Sequence, residues 1–243
     1  EKMSYVVFVS SVFITYGPAT ALFLLVIAGS AQLTILAIGS MFFWMLSALL
    51  TSMIWAAVPP LRHVYPFIIG VGVVMQELMR YGFWQLYSRA YAKVAQMGDR
   101  TKPADFLSAL AVGWGFAVSS SLILYTSLMW ASAGQGDFPT PACPQLSYFH
   151  VGALMQSAMV ALHIMLNVIS FEAYKHPSWK IAVAPVVHLV VSYLSLLNQA
   201  GGTCIGALAG TYAVVILVAI LMVKILLGQN VLVGRKPNVL VVN

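Results

Sequence analysis

The sequence predicts an all-α polytopic membrane protein: one domain of seven transmembrane helices, N-terminus outside and C-terminus cytoplasmic. Three observations predict it. Hydrophobic residues make up 61% of the 243-residue chain and mean hydropathy is +0.91, outside the range of a soluble globular domain. Charged residues are only 7%, and nearly all of them fall between long apolar runs. Those runs number seven, at 5–28, 33–58, 64–84, 106–131, 148–171, 181–197 and 205–227. About 20 apolar residues suffice to cross the hydrocarbon as a helix. A barrel strand would instead alternate over about 10 residues.

The first run is too long for a signal-peptide core of about 7–15 residues and reads as a span. It contains Gly17 and Pro18, which predict a local kink because proline removes a backbone donor. The second run is uninterrupted. In the third, Gly70 and Gly72 thin the start and Gln76, Glu77 and Arg80 sit in the middle. The fourth carries Gly113, Ala117 and Ser121, a small-xxx-small ridge that permits close helix approach. The fifth holds His163 with Asn167 one turn on, and the sixth, the shortest, holds His188 with Ser192 one turn on. Into the seventh run enters a second ridge, Gly202, Gly206 and Gly210.

Orientation follows from the basic residues, which are retained on the cytoplasmic side. With the N-terminus outside, the cytoplasmic segments hold Arg89, Lys93, Arg100, Lys102, Lys175, Lys180, Lys224, Arg235 and Lys236, whereas the outer segments hold Lys2 and Arg62. The same distribution explains the net charge of +6 as cytoplasmic loops facing anionic lipid, so nucleic acid need not be a partner. Cys143 and Cys204 then both lie outside, where oxidation is permitted. They form either a disulfide or two free thiols, and sequence alone gives no distance between them.

Glu77 and Arg80 lie three residues apart and so share a helix face. An unpaired charge at mid-bilayer costs at least about 2.5–3.5 kcal/mol, so pairing or a wet cavity is required. Three readings of Glu77, Arg80, His163 and His188 stay open on residue types alone. They are hydrogen-bonded packing between helices, a zinc site of two His and one carboxylate, and a proton or ion path. No HExxH motif is present, and no G-x-S-x-G elbow. The three Asp residues, Asp99, Asp105 and Asp137, lie in loops or at a span edge, not as a mid-membrane pair.

Several stretches together resemble the anterior pharynx-defective (Aph) subunit family of γ-secretase. Residues 16–24, YGPATALFL, are similar to the family's FGPAxALFL, and 42–47, FFWMLS, to its FFW-xx-S. Residues 76–81, QELMRY, match QE-xx-R-F/Y. His163 and His188 resemble the family's two membrane histidines, while LLN at 196–198 and TYAV at 211–214 echo its FLN and IYAV. The resemblance implies a seven-helix scaffold without catalytic residues, cofactor or metal. It would assemble presenilin, nicastrin and the presenilin enhancer in the endoplasmic reticulum, Golgi and plasma membrane and serve protein processing such as Notch signalling. It also implies that His163 and His188 serve assembly and that Gln76, Glu77 and Arg80 line the same interior. The family's fourth-span ridge is GxxxGxxxG; Gly113, Ala117 and Ser121 depart from it, which implies looser packing there. The Gly202, Gly206 and Gly210 stripe could compensate, and the two cysteines match no family position.

A remoter likeness to the CAAX-type prenyl-protein intramembrane metalloproteases supplies the alternative, a zinc-dependent membrane hydrolase. Their EE-xxx-R and F-xxx-H patterns are incomplete: Gln76 replaces the first Glu, Arg80 is one residue too near, and Met159 stands before His163 where an aromatic is expected. Loss of one carboxylate removes a potential ligand or base.

Overall fold

The computed structural model describes residues 2–96, 105–134, 139–140, 143–175, 179–199 and 203–228. Among them the chain forms seven α-helices: α1 (Lys2–Leu22), α2 (Ala31–Ala57), α3 (Tyr65–Gln96), α4 (Asp105–Ala131), α5 (Tyr148–Lys175), α6 (Val183–Leu194) and α7 (Cys204–Gly228). Six helical stretches are long and apolar enough to cross a membrane: Tyr5–Ile27, Ala31–Ala57, Asp105–Ala131, Tyr148–Lys175, Trp179–Asn198 and Cys204–Leu227. Helix α3 falls short of that criterion because Gln76, Glu77, Arg80, Gln85, Arg89 and Lys93 interrupt it.

Local chemistry sets the boundaries. The Ser30 side chain accepts the Leu33 amide and starts α2, and Pro59 forces Val58 out of helical geometry and ends it. Pro66 lies in the first turn of α3, where a missing N–H costs nothing. Helix α1 continues through Pro18; the irregularity comes downstream, as a π turn at Phe23–Ile27. There the Trp114 indole donates to the Ala19 carbonyl (2.7 Å), the acceptor an α-helix offers Phe23, and Phe23 stacks on Trp114 at 4.7 Å. Helix α3 runs beyond the expected end at 84, because Tyr87 and Tyr91 carry its apolar face onward, Tyr87 against Phe171 at 5.4 Å. A short antiparallel hairpin, β1 (Pro139–Thr140) with β2 (Cys143–Ser147), precedes α5 and was not anticipated from sequence.

Contacts along the helices fix their directions. Thr51 faces Gly72 and Trp44 faces Gln76, so α2 and α3 are antiparallel. Tyr125 bonds the Phe149 carbonyl while Gly113 abuts Ile164, so α4 and α5 are antiparallel. Ser10 meets His150 and Thr15 meets Ala153, which runs α1 parallel to α5, and Cys204 packed with Val151, Tyr212 on the Leu154 carbonyl and Val218 in the cluster of Leu162 and Leu166 do the same for α7. Arg80 on His163 and Tyr87 on Phe171 run α3 parallel to α5, and Glu77 on His188 with Pro66 on Tyr193 run α6 antiparallel to α3, so successive helices alternate in direction. One end gathers the C-termini of α2, α4 and α6, the N-termini of α3, α5 and α7, and the hairpin strands. At the other, Lys175 Nζ bridges Asp105 (2.9 Å) and Glu172 (2.8 Å) while Tyr87 donates to Asp105 (3.2 Å), joining α3, α4 and α5.

Helices α4 and α5 are the most deeply buried. A Cβ built on Gly113 would lie 2.8 Å from Ile164 Cα, so α4 and α5 touch backbone to backbone. Two residues on, a Cβ on Gly115 would collide with Ser40 Oγ and the Ala37 carbonyl oxygen, so α2 and α4 are equally close. The main core cluster fills the adjacent space with Trp44, Phe83, Val112, Phe116 and Phe171.

Candidate functional site

Polar side chains gather where α3, α5 and α6 meet. Helix periodicity places Glu77 and Arg80 on one face of α3, and they form an ion pair with Arg80 Nη1 on both carboxylate oxygens. The same carboxylate accepts a hydrogen bond from His188 Nδ1 of α6 at 2.8 Å. Arg80 Nη2 donates to His163 Nδ1 of α5 at 3.4 Å. A guanidinium has only donors, so His163 accepts at Nδ1 and carries its proton on Nε2. The two imidazole rings meet edge to face with centroids 4.9 Å apart. Arg80 is 0% exposed and its Cζ lies 5.6 Å from the Phe116 ring centroid, a cation–π contact supplied by α4.

A carboxylate, a guanidinium and two imidazoles thus form one chain of contacts, His188–Glu77–Arg80–His163, across three helices. Neither ion is stranded, so their mutual attraction offsets the desolvation cost that an isolated buried charge would carry uncompensated. Asn167 donates to the His163 backbone carbonyl (2.9 Å), bracing that turn of α5. Gln76 lies beside the chain and accepts from Trp44 Nε1 at 3.1 Å, which adds α2. Trp44→Phe is expected to leave the Gln76 carbonyl without this donor, at a cost of about 1–3 kcal/mol, read as a lower thermal midpoint of the purified chain.

The two histidines of the chain, with Gln76, line a cavity of about 460 Å³ between α2, α3, α4, α5 and α6, whose other walls include Trp44, Ser120 and Gln156. It occupies the half of the bundle nearer the hairpin. Below it Gly115 pins α2 to α4; above, the two helices present Thr51 and Ser52 opposite Ile123 and Leu124. Among the described residues, no group of three His, Cys, Asp or Glu is placed to hold a metal ion. The imidazole nitrogens nearest the carboxylate and guanidinium are already engaged by them.

The remaining sequence-derived residues separate. Ala117 and Ser121 are fully buried, Ala117 against Ala19 and Val160. The approach at Gly113 is tight rather than loose. On α7, a Cβ at Gly206 would meet nothing within 4 Å and one at Gly210 would rest on Leu194 at 3.7 Å, so within this chain the stripe makes no close helix contact at Gly206. Gly202 lies outside the described residues. Cys143 and Cys204 are joined in a disulfide with Cα atoms 5.4 Å apart. Sequence reasoning did not single out Trp44, Phe116 or Gly115 for these roles. Trp44 lay within the quoted FFWMLS stretch; Phe116 carries no local signal of its role.

A family model described as Aph-1 protein matches residues 6–229, nearly the whole chain. The chain belongs to the Aph-1 family. Its similarity to γ-secretase subunits extends across kingdoms. It is 30% identical to the γ-secretase subunit Aph-1b of Danio rerio over 230 residues, covering 90% of this chain and 88% of the relative. To the γ-secretase subunit Aph-1 of Drosophila melanogaster it is 29% identical over 227 residues, covering 92% and 94%. The γ-secretase subunit APH1-like protein of Arabidopsis thaliana is 29% identical over 203 residues, covering 79% and 81%. Within this Aph-1 family member, the residues carrying the resemblance in the third, fifth and sixth runs are those that meet in the His188–Glu77–Arg80–His163 chain.

Proposed function

We propose that this chain is a non-catalytic scaffold subunit of γ-secretase. It spans the membrane seven times as one domain, N-terminus outside, and stabilises and assembles presenilin, nicastrin and the presenilin enhancer. It does so in the endoplasmic reticulum, Golgi and plasma membrane. The observation that carries this reading is the closed polar chain, in which each charged group is neutralised by another member. Such a network holds α3, α5 and α6 in one register, and a fixed register presents a fixed outer surface to neighbouring subunits.

Orientation is supported from two sides. The basic residues favour one side by nine to two. A disulfide sits at the opposite end of the bundle, and disulfides form in the oxidising lumen. Helix α3, though polar, is 32 residues long, and its central charges are paired inside the bundle, which makes it compatible with a seventh crossing.

The reading is tested by co-purification in mild detergent. His163→Ala and His188→Ala are each expected to lower recovery of presenilin with the tagged chain severalfold; unchanged recovery with both removes the assigned role. Stoichiometric zinc in the purified protein, lost with chelator alongside a hydrolytic activity, would favour the hydrolase instead.

A further inference from the structure

Cys143 opens β2 and Cys204 is the first residue of α7, so their bond joins two connections 61 residues apart. Both cysteines are 1% exposed, packed with Val151 and Leu208 and edged by Met155 and Tyr212. Tyr212 donates to the Leu154 carbonyl (3.0 Å) and shares a hydrogen bond with Ser157 (2.8 Å). This knot fixes the luminal ends of α5 and α7 together.

Its effect reaches α6. That helix has only 12 residues, and its C-terminal 3-10 turn, Ser195–Gln199, leads within five residues to Cys204. From α6 come His188, which meets Glu77, and Val191, Ser192 and Ser195, which wall the cavity; Tyr193 ties it to the Pro66 carbonyl of α3 at 3.1 Å. Cys204, the first residue of α7 and five positions after the last turn of α6, has a fixed anchor in Cys143. Without that bond, the short helix presenting His188 keeps its packing, the Tyr193–Pro66 contact and the Thr203–Leu197 hydrogen bond, but loses the covalent tie to the β-hairpin.

We propose that formation of the Cys143–Cys204 bond is an assembly checkpoint: oxidation in the lumen locks α6 with His188 on Glu77, and only the locked chain captures its partner subunits. The inference rests on the scaffold reading given above. Each thiol gives up its proton, the two sulfurs join, and two electrons reduce a luminal protein disulfide to a dithiol through two successive exchanges and a mixed disulfide. Once made, a bond this buried is shielded from small thiols, so the step runs one way. Closing a 61-residue loop also removes alternatives from the unlocked ensemble.

The test uses the full chain expressed with its partner subunits. A maleimide mass tag applied to denatured protein is expected to add only after reduction. Cys143→Ser, Cys204→Ser and the double variant are expected to lose co-purifying presenilin to the same degree, since the bond is the unit. Their thermal midpoint is expected to fall by roughly 5–10 °C. Should the variants fail to accumulate, wild-type chain synthesised in cells exposed to a membrane-permeant dithiol, so that the bond never forms, is expected to show the same loss. Tagging without reduction overturns the proposal, as does full recovery in the double variant or in the chain synthesised under the dithiol with its cysteines shown to be free by the tag. If His188→Ala still lowers recovery in that case, the checkpoint alone falls and the scaffold reading stands.

Discussion

Glu77→Leu is expected to be the most damaging single substitution in this chain, and Glu77→Leu with Arg80→Met far less so. Arg80 is 0% exposed, held between the Glu77 carboxylate, the Phe116 ring and His163. Removing the carboxylate leaves a guanidinium in the protein interior with only a ring face and a neutral imidazole for company. Breaking a buried pair in this way costs about 3–5 kcal/mol, whereas replacing both members by apolar groups of similar volume is often near neutral. For a chain of this size the single variant should lose roughly 6–20 °C in thermal midpoint. Glu77→Gln should fall between: the amide oxygen still accepts from His188, but Arg80 loses its counter-ion. Midpoints of the two singles and the double, measured in one detergent, form a double-mutant cycle. If the double variant is as unstable as the two singles summed, the side chains do not act as a pair.

The polar chain was legible in the sequence because its logic is local. A spacing of three residues puts Glu77 and Arg80 on one helix face whatever surrounds them, and the cost of a lone intramembrane charge predicts convergence with His163 and His188. Span positions were legible for a similar reason, since six of the runs are long and uniformly apolar. The end of α3 was not, because rising polarity after Trp84 resembles a span boundary. Tyr87 and Tyr91 extend the helix through partners on α4 and α5 that no local pattern names. The hairpin at Pro139–Thr140 is another case: a proline-rich stretch reads as loop, and its pairing with Cys143–Ser147 is a tertiary outcome. Small-residue ridges were only half legible. Spacing of four finds the Gly113 face turned to α5, but it passes over Gly115, which points about 200° around the helix, toward α2. It finds Gly206 equally well, where the chain provides no neighbour.

That difference between faces yields a graded series of glycine-to-alanine substitutions, with Gly115→Ala at its head. A methyl at Gly115 meets Ser40 Oγ and, behind it, the Ala37 backbone carbonyl, so no rotamer change relieves it and α2 must move away from α4. Overpacking costs about 1–3 kcal/mol when side chains can adjust, and a rigid backbone neighbour puts this position at or above the top of that range. Gly113→Ala comes next, facing Ile164 Cα at 2.8 Å. Gly152→Ala should cost less, since its close neighbours are the Leu128 methyl and the Tyr125 ring, whose side chains can rotate. Gly206→Ala meets open space and should fall within about 0.5 kcal/mol of wild type in the isolated chain. Ser40→Gly should rescue Gly115→Ala only partly, because the Ala37 carbonyl remains in the way. Moving α2 would also widen the cavity and draw Trp44 from Gln76, so Gly115→Ala should reduce partner recovery as well as thermal midpoint. Equal midpoints for Gly115→Ala and Gly206→Ala would mean that α2 and α4 do not approach at Gly115.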